Sequence, residues 1–188
     1  MQPFFYKTRN IYKKTRQRYL FTLFFSLCLC YNEFMEKDYR FFMAEAIKEA
    51  QYSEAQGDVP VGAVAVCKGK IIARGRNRKE ANQDPSAHAE IETIREAAKK
   101  LGRWRLNDVT LYVTMEPCPM CAGAILQARI GTVVFGAWDV NWGAFGSKTD
   151  LLKEGAFNHT PEIIGGICEK ECAKLTEIFF RRRRKETL

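Results

Sequence analysis

DPSAHAE at residues 84–90 and EPCPMC at residues 116–121 are the two stretches around which this chain of 188 residues is organised. They supply one imidazole, one carboxylate and two thiols, from His88, Glu90, Cys118 and Cys121. Each stretch stands where a helix is predicted to begin. Because imidazole and thiolate are good zinc ligands, the two stretches predict a metal site assembled from the starts of two helices.

The CPMC sequence has a favourable geometry for binding a metal. It places Cys118 near a helix N-cap, Pro119 at the favoured first helical position and Cys121 one turn further on. Residues three apart on a helix face the same way, so both sulfurs can reach one ion. The partial positive charge of a helix N-terminus also favours the thiolate form that a metal requires.

His88 and Glu90 complete a catalytic arrangement. A catalytic zinc site uses three protein ligands and leaves a fourth position open, and His88, Cys118 and Cys121 supply that number. Glu90 is then a general acid/base that moves a proton from a zinc-activated water to a substrate nitrogen. By itself the CxxC pair fits a redox dithiol equally well. A structural zinc site would need a fourth ligand from among His159, Cys67, Cys168 and Cys172.

The spacing of apolar residues predicts alternating helices and strands. Helices are expected from Asp38 to near Gly57 and over 88–100, 119–128 and 169–182. Strands are expected over 61–67, 71–75, 109–115, 132–136 and 162–167, the first two joined by a hairpin at 68–70. Residues 77–87 and 138–159 are expected to be loops, the second facing substrate. This order indicates an α/β/α layered domain with a mixed sheet.

The basic charge of the chain is concentrated at its ends. Of the net charge of +8, residues 1–34 carry +5 and residues 181–188 carry +4, which leaves −1 for residues 35–180. A basic terminus fits binding to nucleic acid or to an anionic membrane, and equally a solvated tail. Residues 1–34 combine bases with an apolar run of twelve residues, short for a transmembrane helix. We expect them to be an upstream extension of the reading frame that precedes a globular domain at 35–188, with a membrane anchor as the alternative.

From Met35 onward the sequence resembles the zinc-dependent nucleotide and nucleoside deaminases, whose pattern is His-x-Glu followed by Pro-Cys-x-x-Cys. Within them it is most similar to the bacterial tRNA adenosine deaminases. The segments that carry this closer likeness are DVPVGAV at 58–64, DPSAHAEI at 84–91, TLYVTMEPCPMCAGA at 110–124, VFGA at 134–137, NH at 158–159 and FFRR at 179–182.

The resemblance implies a cytidine-deaminase-like fold, a three-layer α/β/α sandwich on a mixed sheet of about five strands. It implies a cytoplasmic homodimer with one zinc per subunit, held by His88, Cys118 and Cys121, and Glu90 as the proton carrier. The substrate would be the wobble adenosine of a tRNA anticodon stem-loop, converted to inosine, with an arginine tRNA expected. The residues implied to bind it are Asn77 on the flipped base, Val61 in the pocket, and Asp139, Phe179 and Phe180 on the anticodon loop.

Two other functions remain open from the sequence. One is a zinc-dependent deaminase of a free base or nucleotide, of the guanine or cytosine type, which would share the same zinc motif. The other is a zinc-stabilised RNA-binding module without catalysis. Taken from the residues alone, Asn77 is a turn residue after a strand, and Phe179 and Phe180 are core positions of the last helix.

Overall fold

A mixed sheet of five strands forms the centre of the fold. The computed structural model describes residues 38–153, 155 and 157–186. The strands are β1 (Gly62–Cys67), β2 (Lys70–Arg76), β3 (Val109–Met115), β4 (Thr132–Ala137) and β5 (Glu162–Ile164). They lie in the order β2-β1-β3-β4-β5. The β1 strand runs antiparallel to β2 and β3, whereas β3, β4 and β5 are mutually parallel, so the predicted mixed sheet is confirmed.

The hairpin between β1 and β2 follows from local backbone chemistry. Lys68 and Gly69 have φ values of 50° and 71°, the two consecutive positive values of a type I′ turn. This turn matches the twist of the paired strands and brings Cys67 opposite Lys70. The hairpin predicted from the sequence is therefore confirmed, with Lys68 as well as Gly69 in the left-handed region.

Helices cover both faces of the sheet. A first helix, α1, occupies residues 38–55, and it is followed by α2 (Lys79–Asn82), α3 (Ala89–Leu101), α4 (Pro119–Gln127) and α5 (Glu169–Glu186). Because successive strand side chains point to opposite faces, β1 contributes to both layers. One layer packs α3 and α4 on side chains that include Ala63, Ala65, Leu111 and Phe135. The other packs α1 and α5 on Val64, Val66, Tyr112 and Val134.

Three segments differ from the sequence-based expectations. Strand β5 was expected over 162–167 and covers Glu162–Ile164. The predicted loop at 77–87 contains α2, a single helical turn. The Asp58 carboxylate accepts hydrogen bonds from the backbone amides of Glu80 and Ala81, at 2.9 and 3.1 Å, and so holds the start of that turn. Asp58 lies 22 and 23 positions before these two residues, too far for local periodicity to signal the contact. The last helix also continues four residues beyond its predicted end, to Glu186.

The predicted extension at 1–34 lies outside the described residues. Within the described part of the chain, no helix combines the length and the apolar character needed to span a bilayer.

Candidate metal centre and substrate cleft

Three side chains from the starts of two helices converge on one point. His88 is the N-cap of α3, and Cys118 is the N-cap of α4 with Pro119 at the first helical position. The Nδ1 atom of His88 lies 3.8 Å from Sγ of Cys118 and 3.5 Å from Sγ of Cys121. The three donor atoms all lie within 4.8 Å of one another. The two helix starts predicted from the sequence therefore do meet.

These separations fit a tetrahedral zinc ion. Bonds of about 2.0 Å to nitrogen and about 2.3 Å to sulfur place tetrahedral donors about 3.6 Å apart. Within the described residues the group that can hold a metal consists of His88, Cys118 and Cys121 alone. The other described cysteines (Cys67, Cys168 and Cys172) and His159 do not join it, and the His159 ring instead lies 2.7 Å from the Ile130 carbonyl. Three donors without a fourth among the described residues match a catalytic site better than a structural one.

The pKa values of the two thiols are shifted in opposite directions, and this pattern is consistent with a site that binds a cation. Hydrogen bonding from Cys121, with a further contribution from the His88 ring, lowers the pKa of Cys118 to about 4. Its hydrogen bond to Cys118 and its burial raise the pKa of Cys121. Without a metal the pair thus keeps one proton, because two adjacent thiolates repel each other. A divalent cation between them would allow both to ionise, as metal binding requires.

Glu90 lies buried beside this group, with 4% of its surface exposed. Burial raises the pKa of Glu90 to about 7, and the neighbouring Cys118 thiolate acts in the same direction. A carboxyl group with a pKa near neutrality can both accept and release a proton, which is what general acid/base chemistry requires. Glu90 is close to the donor atoms without belonging to the three-residue group, so its carboxylate is available for that chemistry.

A cleft of about 1590 Å³ opens above His88, Glu90 and Cys118. Asn77 and Val61 line it, and neighbouring backbone fixes both residues. The Asn77 amide donates to the Val61 carbonyl at 3.0 Å, and the Asn77 carbonyl accepts from Oγ of Ser53 at 2.8 Å. The Asn77 side chain is buried, and its Oδ1 atom has no hydrogen-bond partner among the residues that the structure describes. An unpaired buried acceptor in the wall of a cleft is suited to a ligand that offers an N–H group.

Residues 36–137 match the model of the cytidine and deoxycytidylate deaminase zinc-binding region. The match spans more than half of the chain and includes the metal-binding group, Glu90, Asn77 and Val61.

The chain belongs to the cytidine and deoxycytidylate deaminase family.

Relatives within this deaminase family cover most of the chain. The tRNA-specific adenosine deaminase of Bacillus subtilis (strain 168) is 52% identical over 145 residues, which are 77% of this chain and 90% of the relative. A solved tRNA:A34 deaminase, studied for A-to-I editing at the wobble position of transfer RNA, superposes with a TM-score of 0.70. It is 42% identical and covers 72% of this chain and 98% of its own. The solved guanine deaminase of Bacillus subtilis superposes with a TM-score of 0.52 at 39% identity. The match covers 62% of this chain and 69% of the guanine deaminase.

Membership fixes the class of the protein. It is an enzyme, a zinc-dependent deaminase, and the predicted cytidine-deaminase-like fold is confirmed. Zinc is its cofactor, and the group of His88, Cys118 and Cys121 agrees with one ion per chain.

The remaining predicted site residues are divided between the cleft of this deaminase and its core. Asp139 and Phe180 line the cleft. Phe179 does not. It is 4% exposed and packs edge-to-face against Phe180 with ring centroids 5.5 Å apart. The structure thus places Phe179 in the core and Phe180 in the wall of the cleft.

Some residues at the cleft of the deaminase were not singled out by the sequence. The α5 helix contributes four bases to its wall, namely Lys170, Lys174, Arg181 and Arg184. The sequence did not predict that these four bases lie on one wall, because only Arg181 and Arg184 belong to the recognisable basic run at the C-terminus. Glu116 was also missed. It lies next to Pro117 in the zinc motif, and its carboxylate is 2% exposed and bound to three backbone amides of residues 138–147.

Proposed function

We propose that this deaminase converts the adenosine at wobble position 34 of a transfer RNA to inosine by hydrolysis. The observation that carries the proposal is the wall of the cleft beyond the metal centre. Bases and aromatic rings border it together: Lys170, Lys174, Arg181, Arg184, Phe180, Trp138 and Trp142. Cations attract the phosphates of an RNA strand, and exposed rings offer stacking surfaces to unpaired bases. Binding of a free base would require neither the row of cations nor the additional stacking rings.

The chemical step would depend on groups close to the metal-binding side chains. Zinc held by His88, Cys118 and Cys121 would supply activation of the attacking water and an electrophilic environment for C6 of adenine. Glu90 would take one proton from that water and deliver it to N1 of the purine as the oxygen bonds to C6. It would then take the second proton, from the new C6 hydroxyl group, and deliver it to the amino group, which leaves as ammonia when the C6–N bond breaks. Burial of Glu90 supports this role, since it holds the carboxyl group near the pKa at which both transfers are efficient.

Recognition of the target base would rest on Asn77 and Val61. The unpaired Oδ1 atom of Asn77 would accept a hydrogen bond from the base. The Val61 side chain lines the same cleft and would pack on the ring. A flipped nucleotide exposes both its edge and its faces, so one polar and one apolar contact suit it.

The bases next to the target would be bound by the outer part of the cleft. Phe180 is 45% exposed and Trp142 is 69% exposed. Such rings can stack on unpaired bases of the anticodon loop. Asp139 would contact the same loop, while Phe179 would support Phe180 from below. An arginine tRNA is the proposed substrate, and the proposed active form is a cytoplasmic homodimer of the 35–188 domain with one zinc per subunit.

The test is a direct assay of purified protein on an anticodon stem-loop RNA with adenosine at position 34. Free adenosine, guanine and cytosine are assayed in parallel, and inosine, ammonia and the base products are measured. Inosine formed in the RNA alone is the expected result. The likeness to a guanine deaminase at 39% identity favours one rival, turnover of a free base. Consumption of guanine with no inosine in the RNA would establish that rival instead.

A further inference from the structure

The loop formed by residues 138–147, here called the 138–147 loop, is built around one buried carboxylate. Oε1 of Glu116 accepts hydrogen bonds from the backbone amides of Phe145, at 3.0 Å, and Ser147, at 3.1 Å. Oε2 accepts one from the amide of Asp139, at 3.1 Å. These three amides come from both ends of the loop, so a single side chain ties the ends together.

Glu116 has no evident role in catalysis to account for its burial. It is 2% exposed, and its hydrogen-bond partners in the described part of the chain are amides rather than a cation. A buried carboxyl group is stabilised by the hydrogen bonds that its oxygens accept. The 138–147 loop and the Glu116 carboxylate therefore depend on each other.

Gly143 shows how closely the loop is fitted to that carboxylate. A Cβ atom added at Gly143 would lie 2.2 Å from Oε2 of Glu116 and 2.6 Å from the Asp139 carbonyl oxygen. Real Cβ atoms essentially never show contacts this short, so a larger residue at this position would force the Glu116 carboxylate or the loop backbone to move. The backbone also closes across this point, since the Gly143 amide donates to the Asp139 carbonyl at 2.8 Å.

The loop carries side chains that line the cleft. Trp138, Asp139 and Trp142 all lie in the cleft wall. Trp138 is further fixed by edge-to-face packing on Phe135, with ring centroids 4.7 Å apart. The Asp139 carboxylate accepts from the Trp142 amide at 3.1 Å, which stiffens the turn between them. Any movement of the loop would thus shift the surface that a substrate strand meets.

We infer that Glu116 is a positioning residue, whose carboxylate holds the 138–147 loop in its binding conformation before the RNA arrives. This rests on the proposed function, since the ligand of the loop is taken to be the RNA strand around the target adenosine. A loop that is already ordered loses less conformational entropy when the ligand binds. Replacement of Glu116 should therefore raise the KM for RNA, whereas kcat should depend on the groups around the metal.

The test compares Glu116→Gln with Glu96→Gln, which removes the same charge from an exposed position on α3. Both are made in the full-length zinc-loaded protein. Glutamine can keep the two bonds to Oε1 but presents an N–H group to the Asp139 amide, so one bond is lost. Hydrogen exchange of residues 138–147, measured by mass spectrometry, should become at least roughly tenfold faster in Glu116→Gln only. Exchange in α4 should not change, and zinc content should stay at one per chain.

Kinetics on the stem-loop RNA provide the second measurement. The KM should rise by roughly tenfold in Glu116→Gln, and kcat should stay within about threefold of the original protein. Gly143→Ala displaces the same loop with the carboxylate intact, and should raise KM in the same way. Because both changes act through one contact, the double variant should be no worse than the worse single one. If Glu116→Gln does not fold, the exchange of residues 138–147 and the KM are measured on Gly143→Ala instead.

The outcomes separate this inference from the proposed function. Unchanged exchange in the 138–147 loop overturns the inference, whatever the substrate is. Faster exchange with an unchanged KM, or a loss confined to kcat, overturns the positioning role. If the original protein makes no inosine in RNA, the proposed function fails, and the exchange measurement still decides whether Glu116 holds the loop.

Discussion

The Nδ1 atom of His88 lies 3.5 Å from the Sγ atom of Cys121, although 33 positions separate the two residues in the chain. The contact joins the start of α3 to the first turn of α4. Both helices pack on the same face of the sheet, which brings their N-termini side by side. The metal-binding group is therefore a consequence of the layer order, and each of its residues should be necessary for zinc.

Loss of one ligand should release the metal. We expect His88→Ala and Cys121→Ser to reduce zinc from one ion per chain to well below that, because two remaining ligands bind zinc weakly. Deamination should fall in proportion, and the melting temperature should drop since the metal stabilises only the folded chain. Atomic emission and calorimetry measure the two effects. Cys168→Ser is the control, because Cys168 lies outside the group. Full zinc occupancy in Cys121→Ser would contradict the assignment.

Replacement of Glu90 should separate chemistry from metal binding. We expect Glu90→Gln to retain zinc and fold while kcat falls by about 10²–10⁴-fold, since the amide cannot carry the proton. Glu96→Gln, at an exposed position of the same helix, should keep its turnover. Single-turnover kinetics and zinc content give the two readouts. Undiminished turnover in Glu90→Gln would favour a role for the carboxylate other than proton transfer.

Removal of the unpaired acceptor in the cleft should weaken recognition of the base. Within the described part of the chain the buried Oδ1 atom of Asn77 has no partner, so a ligand donor would satisfy it. Asn77→Ala should lower kcat/KM on the stem-loop by about 5- to 150-fold, the equivalent of about 1–3 kcal/mol for one buried hydrogen bond. Asn82→Ala, at the exposed end of α2, serves as the matched control. Equal kcat/KM values for the two variants would exclude Asn77 from base recognition.

The bases on α5 should determine how RNA binding depends on salt. Each phosphate contact with single-stranded RNA contributes a slope of about −0.7 in log K against log salt concentration. The double variant Lys174→Gln with Arg181→Gln should flatten that slope by about one unit or more. Arg95→Gln with Lys99→Gln, on α3 and outside the cleft, should not change it. Filter-binding titrations over a salt series provide the slopes, and parallel lines for all three proteins would mean that α5 does not contact phosphates.

The sequence predicted those features that depend on local pattern. Strand β3 and the starts of α3 and α4 were placed within one residue, because alternation, N-caps and Pro119 are local signals. The metal-binding group followed from residue types and spacing. Contacts between distant segments were not predictable in this way. The turn α2 depends on Asp58, and the 138–147 loop depends on Glu116, whose partners lie more than twenty positions away. The burial of Phe179 beside the exposed Phe180 likewise required the packing of α5.

The most direct test of the central claim is nucleoside mass spectrometry of the stem-loop RNA after incubation with zinc-loaded protein in heavy-oxygen water. The account predicts inosine at position 34 alone, with the heavy oxygen at C6 and one ammonia released per inosine. It also predicts none of these products with Glu90→Gln. RNA that keeps its adenosine while free guanine or cytosine is deaminated would contradict the claim, as would inosine that contains no oxygen from the water.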